Sequence, residues 1–343
     1  MDLATRLSDM TRVCLTSLFP DNPDNLWNRG SYTALLKGAG ALNDTAGLQL
    51  TEQPDDADIV LFSDVGGVPG LLVPFMSAYR RCWTKALVYS DADFPPDCLR
   101  GVYASIMRTR YDANWHAGGP YIREGAATWS SVVLGAPLKL FTFAGSCETH
   151  PVRQKLLELY GESGLVLNSN RQRVTAAFSA GSTAEIAELR RVMEVSVGQG
   201  QFALCPRGVG ASSMRLFEVM SMGRAPVIIS DEWVPPSGPN WNDFSIRIAE
   251  AEVEHLHELL EPHRHRAHEM GVLARRAWEE WFSPDVWLKR TVEACISLQK
   301  RPGFGKRIPL MKKWAAGFGC STELRGAVRF LKHRSRFPQS FAK

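Results

Sequence analysis

Most side chains with usable chemistry lie between Phe202 and Ser245. Arg207 and Arg215 place positive charge beside a glycine-bearing loop, and Glu218 follows Arg215 by three residues. A guanidinium can hold phosphate oxygens through two parallel hydrogen bonds, and a carboxylate can accept from both hydroxyls of a ribose diol. These residues therefore predict a site for a nucleoside diphosphate. The alternative is an ordinary surface pair of Arg and Glu on one helix.

The elements that must position these residues are a strand, a loop, a helix and a second strand. The strand is predicted over 202–205, the loop over 207–211, the helix over 214–222 and the second strand over 225–230. Ser212 or Ser213 is the expected N-cap, and Gly223 is the expected stop just past the helix. In such a unit the free N–H groups at the start of the helix face the loop, where a phosphate binds at low cost.

The order of residue types over this stretch is specific. It contains, in sequence, Cys205-Pro206, Gly208, Ser213, Arg215, Glu218, Gly223, Pro226-Val227-Ile228, Ser230-Asp231, Trp241 and Phe244-Ser245. This order resembles the donor-binding segment of the exostosin family of glycosyltransferases. The resemblance implies that a nucleotide-sugar is bound by Gly208, Ser213, Arg215, Glu218, Ser230 and Asp231. Arg207 is predicted as a further donor-binding residue from its charge beside the loop. Arg207 stands where the family usually has a small residue, and Met214 stands where it usually has Pro, so the donor stays open.

An upstream segment resembles the same family. A strand predicted over 138–143 ends in Ala144-Gly145-Ser146, and the helix predicted over 152–160 carries Arg153. The resemblance implies that Gly145 and Arg153 also belong to the donor site, because loop N–H groups and an Arg at a helix start suit a diphosphate.

Strands and helices alternate in the first half of the chain, which predicts a parallel α/β sheet. Strands are predicted over 59–62 and 86–89, with a helix over 71–82 between them. Asp64, Asp91 and Asp93 follow the strands, at the ends where ligands bind in such sheets. We predict Asp91 as the base that activates an acceptor hydroxyl, with Asp64 and then His116 as the next candidates. A metal-binding Asp-x-Asp pair or a plain turn is the alternative for Asp91 and Asp93.

The segment 111–124 contains aromatic residues and His116 among glycines. Such residues could stack on a sugar ring, and a packed loop is the alternative interpretation.

The resemblance implies a GT-B fold, with two Rossmann-like α/β domains facing each other across a cleft. We expect an acceptor-side domain over 1–137, a donor-binding domain over 138–284, a helix over 285–298 that crosses back to the first domain, and a basic tail over 299–343. The implied reaction is sugar transfer, with inversion, from a nucleotide-sugar to a glycan hydroxyl in surface polysaccharide or glycoconjugate synthesis. Arg side chains and helix dipoles would stabilise the departing diphosphate, so this scheme requires no metal or other cofactor.

Composition argues against several other kinds of protein. An apolar content of 45% is normal for a globular protein, and seven cysteines without a CxxC pair predict reduced, mostly buried thiols. A helix predicted over 250–281 carries five histidines, but Pro262 and the surrounding charges favour a solvated helix over a metal site. The stretch 1–20 has no signal-peptide core and no later segment has 18 uncharged apolar residues, which predicts a cytoplasmic protein.

The basic charge is concentrated in the tail. Residues 299–343 contain 12 Lys and Arg against the single acid Glu323, a net charge of +11, although the whole chain carries only +4. Interleaved aromatic residues suit binding to the anionic inner face of a membrane, and solvated disorder is the alternative. A nucleotide-sensing protein that binds nucleic acid through this tail is the competing function, although the donor motif makes nucleic acid the less favoured partner.

Overall fold

The structure is a computed structural model that describes residues 10–18, 29–39, 47–63, 65, 70–122, 137–307, 311–313, 315, 324–325 and 327–328. The chain divides into two compact units. Unit 1 contains Met1–Glu124, Val234–Ser237 and Pro284–Lys343, and unit 2 contains Gly125–Trp233 and Gly238–Ser283. The end of the chain therefore belongs to the same unit as its beginning.

The described strands are β1 (Thr11–Thr16), β2 (Leu48–Leu50), β3 (Ile59–Phe62), β4 (Ala86–Ser90), β5 (Gly101–Tyr103), β6 (His116–Gly118), β7 (Lys139–Gly145), β8 (Val166–Asn168), β9 (Gly200–Pro206), β10 (Ala225–Ile229) and β11 (Ile246–Ile248). The described α-helices are α1 (Arg29–Ala39), α2 (Ser77–Cys82), α3 (Pro151–Tyr160), α4 (Arg171–Ser179), α5 (Thr183–Gln199), α6 (Met214–Ser221), α7 (Trp241–Phe244), α8 (Leu256–Leu260), α9 (Ala267–Trp281) and α10 (Trp287–Gln299).

Each unit is built on a parallel sheet. In the described part of unit 1 the strand order is β2-β1-β3-β4-β5-β6, and in that of unit 2 it is β11-β10-β9-β7-β8. All pairings in both sheets are parallel. The prediction of an α/β protein with two Rossmann-like domains is therefore confirmed.

The strand order of unit 2 marks a place for a ligand. Read from the other edge it is β8-β7-β9-β10-β11, so the direction of sheet growth reverses between β7 and β9. In open α/β sheets the loops at the carboxyl ends of two such strands separate and leave a crevice. Gly145 and Pro206 end these two strands, and the loops that follow them carry most of the predicted donor residues.

Short apolar runs make the central strands because they are buried on both faces of the sheets. Ile59–Phe62 and Ala86–Ser90 are buried throughout, as is Ala225–Ile229 in unit 2. Helices then cover the sheet of unit 2, where Leu156 and Val253 pack against strand residues such as Phe202. Burial of this apolar area holds each sheet together.

The predicted unit of strand, loop, helix and strand in 202–230 is confirmed as β9, α6 and β10. Ser213 is the N-cap of α6, and Gly223 follows its C-cap with φ 72°, a left-handed conformation that glycine adopts without strain. The strands predicted at 59–62, 86–89 and 138–143 are also present.

Two predicted helices were wrong in extent. The helix expected over 71–82 is α-helical only over Ser77–Cys82, after a 3₁₀ turn at Val73–Phe75. Pro74 explains this, because proline lacks the N–H that a helix interior needs. The helix expected over 250–281 is divided into a 3₁₀ segment, α8, a second 3₁₀ segment that begins at Glu261, and α9. Pro262 occupies the first turn of that second segment.

The helix α10 and the start of the tail pack within unit 1. The Arg100 guanidinium is buried and donates to the carbonyl oxygens of Leu298 (3.3 Å) and Pro302 (3.1 Å). It also lies 4.6 Å from the ring centroid of Trp115 and 5.2 Å from that of Phe304. Residues up to 304 are thus anchored to the sheet rather than extended into solvent.

Six cysteines are described, and all six are free and buried. Within the described residues, no helix combines the length and apolar character needed to cross a membrane.

Candidate functional site

Arg153 holds together the two loops that flank the crevice of unit 2. Its Nε donates to the carbonyl oxygen of Arg207 (2.9 Å), its Nη2 to that of Pro206 (2.8 Å), and its Nη1 to that of Ser146 (3.2 Å). The guanidinium carbon lies 5.3 Å from the ring centroid of Phe143. Nη2 also donates to the Ser213 hydroxyl oxygen (3.4 Å). These contacts give Arg153 a structural role, and its predicted contact with a diphosphate stays a prediction.

The loop after β9 presents unpaired backbone donors. Among the described residues, no carbonyl accepts from the N–H groups of Val209, Gly210 or Ala211. Ser213 caps α6 by position, yet its side chain makes no capping hydrogen bond. The loop and the start of α6 therefore combine free N–H groups with the positive end of a helix dipole, which is a suitable environment for an anion.

Arg215 and Glu218 face each other across one turn of α6. Arg215 Nη1 lies 2.6 Å from Glu218 Oε2, and the two side chains are only 18% and 14% exposed. Arg215 Nε is buried and has no hydrogen-bond partner among the described residues. A buried donor without a partner is costly, so this atom is a candidate contact for a ligand.

Arg207 was predicted to contact the donor, but its side chain is almost fully enclosed by protein. Its side chain is 8% exposed, with Nε donating to the carbonyl oxygen of Gly210 (3.2 Å) and Nη1 lying 3.7 Å from Glu250 Oε1. Glu250 was missed as a site residue and was placed in a solvated helix. In the structure it follows β11, whose parallel pairing with β10 brings its carboxylate to this edge of the sheet.

Ser230 and Asp231 connect the end of β10 to its neighbours. The Ser230 hydroxyl donates to the carbonyl oxygen of Ala211 (2.7 Å), so it supports the loop. The Asp231 N–H donates to Glu250 Oε1 (3.1 Å), and Asp231 Oδ1 accepts from the Glu250 N–H (3.3 Å).

The two predicted glycines differ in how closely other side chains approach them. A Cβ on Gly145 would lie 2.7 Å from the Phe143 ring, and one on Gly208 would lie 3.4 Å from Arg153 Nη2. At Gly145 the small residue is required for the ring to fit, whereas Gly208 has ordinary contact distance around it.

A small recess lies beneath the loop. It is lined by Cys205, Arg207, Ala211, Ser212, Ser213, Leu216, Ile228, Ser230 and Trp233. Burial raises the pKa of the Cys205 thiol, which keeps it neutral and unsuited to act as a nucleophile.

Comparison with known proteins identifies the segment that forms this site. Residues 136–262 match the sequence model of the Exostosin GT47 domain. An 84-residue segment, 24% of this chain, is 35% identical to 22% of an Exostosin-1 homolog from Caenorhabditis elegans. A 67-residue segment, 19% of this chain, is 40% identical to 15% of a probable glucuronoxylan glucuronosyltransferase, IRX7, from Arabidopsis thaliana.

Residues 136–262 are an exostosin-like domain. The resemblance predicted from the sequence is thereby confirmed over this segment, although the matches span less than a quarter of either relative. Among solved structures, a glycosyltransferase from Rickettsia africae is similar with a TM-score of 0.43 and 12% identity, over 85% of this chain and 99% of that one.

The predicted acceptor-side residues lie in unit 1, outside the exostosin-like domain. Asp91 follows β4 and is 1% exposed. Asp93 is exposed and accepts a hydrogen bond from the Tyr121 hydroxyl (3.2 Å). Asp64 lies outside the described residues. Within the part of the chain that is described, no group of three or more His, Cys, Asp or Glu residues could hold a metal ion.

His116 has a structural position. Its Nδ1 accepts from the N–H of Asp112 (3.0 Å), which leaves the proton on Nε2 to donate to the Asp97 carbonyl oxygen (2.7 Å). Burial lowers the pKa of His116 to about 4. With both ring nitrogens engaged by the backbone, the geometry does not favour His116 as a base or as a surface for sugar stacking.

Proposed function

We propose that this protein is a glycosyltransferase of the GT-B type that binds a nucleotide-sugar donor through its exostosin-like domain. The observation that carries this proposal is the Arg215–Glu218 pair beside a loop with unpaired N–H groups, at the crevice between β7 and β9. A donor diphosphate and its ribose are the chemical groups that such a pair and loop complement.

The donor diphosphate would lie against the loop after β9. Its oxygens would accept from the N–H groups of 209–211 and from Arg215, whose Nε is buried without a partner. These donors are fixed before the ligand arrives, and they become more favourable as charge develops on the departing diphosphate. Because guanidinium and N–H groups supply this stabilisation, the scheme needs no divalent metal.

The ribose of the donor would bind to Glu218. Its Oε2 is paired with Arg215, and Oε1 has no hydrogen bond among the described residues. A carboxylate oxygen in this position can accept from a ribose hydroxyl, while Arg215 orients the carboxylate.

The proposed reaction requires a base on the acceptor side. Transfer of the sugar to a glycan hydroxyl with inversion is one in-line displacement, in which a base takes the hydroxyl proton as the bond to the diphosphate breaks. Asp91 is our candidate for this base. The physiological setting we propose is surface polysaccharide or glycoconjugate synthesis at an anionic membrane surface.

The direct test is release of a nucleoside diphosphate from a panel of nucleotide-sugars in the presence of mixed glycan acceptors. Wild-type protein should release the diphosphate from at least one donor and should be stabilised thermally by that donor, because a bound ligand raises apparent stability. Absence of both effects across UDP-, GDP- and ADP-linked sugars would refute the proposal.

A further inference from the structure

Arg207 is fastened to the protein at several atoms. Its N–H donates to the Ile229 carbonyl oxygen (2.9 Å), and its own carbonyl accepts from Arg153 Nε (2.9 Å). Its Nε donates to the Gly210 carbonyl oxygen (3.2 Å), which closes the loop on itself. The residue is only 7% exposed, so a ligand in solvent meets little of its guanidinium.

Glu250 supplies the charge that faces this guanidinium. Its Oε1 lies 3.7 Å from Arg207 Nη1 and also accepts from the Asp231 N–H (3.1 Å). The reciprocal bond from the Glu250 N–H to Asp231 Oδ1 fixes the backbone of both residues. One carboxylate thus connects the ends of β10 and β11 to the loop after β9.

His150 is a second neighbour of Glu250 but does not balance its charge. Nδ1 of His150 lies 3.9 Å from Glu250 Oε2, yet the same nitrogen accepts from the Val152 N–H (3.3 Å) at the start of α3. A nitrogen that accepts carries no proton, so it donates nothing to the carboxylate. Among the residues that the structure describes, Arg207 is therefore the cation that compensates Glu250.

We propose that Arg207 and Glu250 are positioning residues for a nucleoside diphosphate, and that neither of them contacts it. This inference rests on the proposed function and says which residues hold the loop after β9 in place. The contacts run from Glu250 to Arg207 and from Arg207 to the Gly210 carbonyl, and they fix the direction in which the N–H groups of 209–211 point. Removing the Glu250 charge leaves the buried Arg207 guanidinium uncompensated, and removing the Arg207 charge leaves the partly exposed Glu250 carboxylate without its cation. Either change loosens the loop.

The direction in which Glu250→Gln changes diphosphate affinity distinguishes a positioning role of Arg207 from direct contact with the phosphates. If Arg207 contacted the phosphates itself, Glu250 would compete with them, and Glu250→Gln would tighten diphosphate binding. If the pair positions the loop, Glu250→Gln weakens diphosphate binding because the N–H groups lose their fixed direction. The nucleoside contacts other residues, so its affinity stays the same in the positioning case.

The experiment measures binding of UDP, GDP and ADP by calorimetry and of uridine, guanosine and adenosine by NMR titration. The proteins are wild type, Glu250→Gln, Arg207→Met, the double variant, and Glu254→Gln as a control on the same 3₁₀ segment. Each single variant should lose about tenfold or more in affinity for the diphosphate that wild type binds best, with nucleoside affinity unchanged. The double variant should be no weaker than the weaker single variant, because coupled residues are not additive.

Unchanged or tighter diphosphate binding in Glu250→Gln would overturn the inference while leaving the proposed function standing. A wild-type protein that binds none of the three diphosphates would overturn both. Thermal melts verify that each variant is folded. If Glu250→Gln does not fold, Arg207→Lys is the substitute, because it keeps the charge and loses the geometry at Gly210. The same loss of diphosphate affinity supports the inference, and wild-type affinity overturns it.

Discussion

Arg215 Nη1 and Glu218 Oε2 lie 2.6 Å apart on α6, in surroundings that leave less than a fifth of either side chain exposed. Other Arg–Glu pairs three residues apart are more exposed; in Glu188–Arg191 the side chains are 43% and 65% exposed. Exposed pairs of this kind contribute little to stability. The enclosure of Arg215 and Glu218 at the carboxyl edge of the sheet favours a binding role over a surface pair.

Arg153 should be important for stability. Arg153→Met leaves carbonyl oxygens of Ser146, Pro206 and Arg207 without their donor, so we expect a loss of about 2–4 kcal/mol in the free energy of unfolding. Chemical denaturation measures this. Arg191→Met is the matched control and should change stability by less than about 0.5 kcal/mol. Equal stability of the two variants would contradict the holding role of Arg153.

His116 should make stability depend on pH. Its pKa is lowered to about 4 in the folded protein, mainly by burial, against an ordinary value near 6.5. Between these values the unfolded state binds more protons, so the stabilising effect is complete above about pH 6.5 and is lost as pH falls toward about 4. Wild type should lose about 2 kcal/mol more than His116→Gln between pH 7 and pH 5. Parallel stability curves for the two proteins would contradict this.

Asp91 is predicted to accept the proton of the acceptor. Asp91→Asn keeps the shape and removes the charge, so kcat should fall by about 10²–10⁴-fold with donor affinity nearly unchanged. Asp93→Asn is the neighbouring control. A metal-ligand role would instead make donor binding depend on Mn²⁺ or Mg²⁺ and abolish it in Asp91→Asn. Near wild-type turnover in Asp91→Asn excludes both roles.

The tail should mediate binding to anionic vesicles. Truncation after residue 313 keeps the contacts of Arg100 with Pro302 and Phe304 and removes six Lys and Arg residues. Each basic residue near such a surface contributes about 1 kcal/mol, so sedimentation with phosphatidylserine vesicles should be strongly reduced and turnover of a soluble acceptor retained. Equal sedimentation of full-length and truncated protein would contradict this.

The elements at the centre of unit 2 could be predicted from the sequence. Phe202 to Cys205 is an apolar run of strand length, Ser213 and Gly223 mark the two ends of α6, and three-residue spacing sets Arg215 and Glu218 on one face. These features depend on neighbours in the chain, so local patterns predict them.

Contacts between distant residues could not be predicted in this way. Glu250 reaches Arg207 only because the three-residue strand β11 pairs with β10, and so short a strand has no distinctive periodicity. The strand β1, Thr11–Thr16, was missed for a related reason. Its polar residues interrupt the apolar pattern that would indicate a strand, and only the pairing with β2 and β3 makes it part of the sheet. Arg153 was placed correctly in a helix, but its carbonyl partners 53 and 54 residues away are a property of the fold.

The most direct test of the central claim is nucleotide binding by Glu218→Ala. Hydrogen bonds to a charged acceptor contribute about 1.5–3 kcal/mol, so this variant should bind the nucleoside diphosphate at least about tenfold more weakly than wild type while remaining folded. Glu188→Ala, which removes the carboxylate of an exposed Arg–Glu pair in the same unit, should bind as wild type does. Calorimetric titration that finds equal affinity in wild type and a folded Glu218→Ala would contradict the assignment of this site.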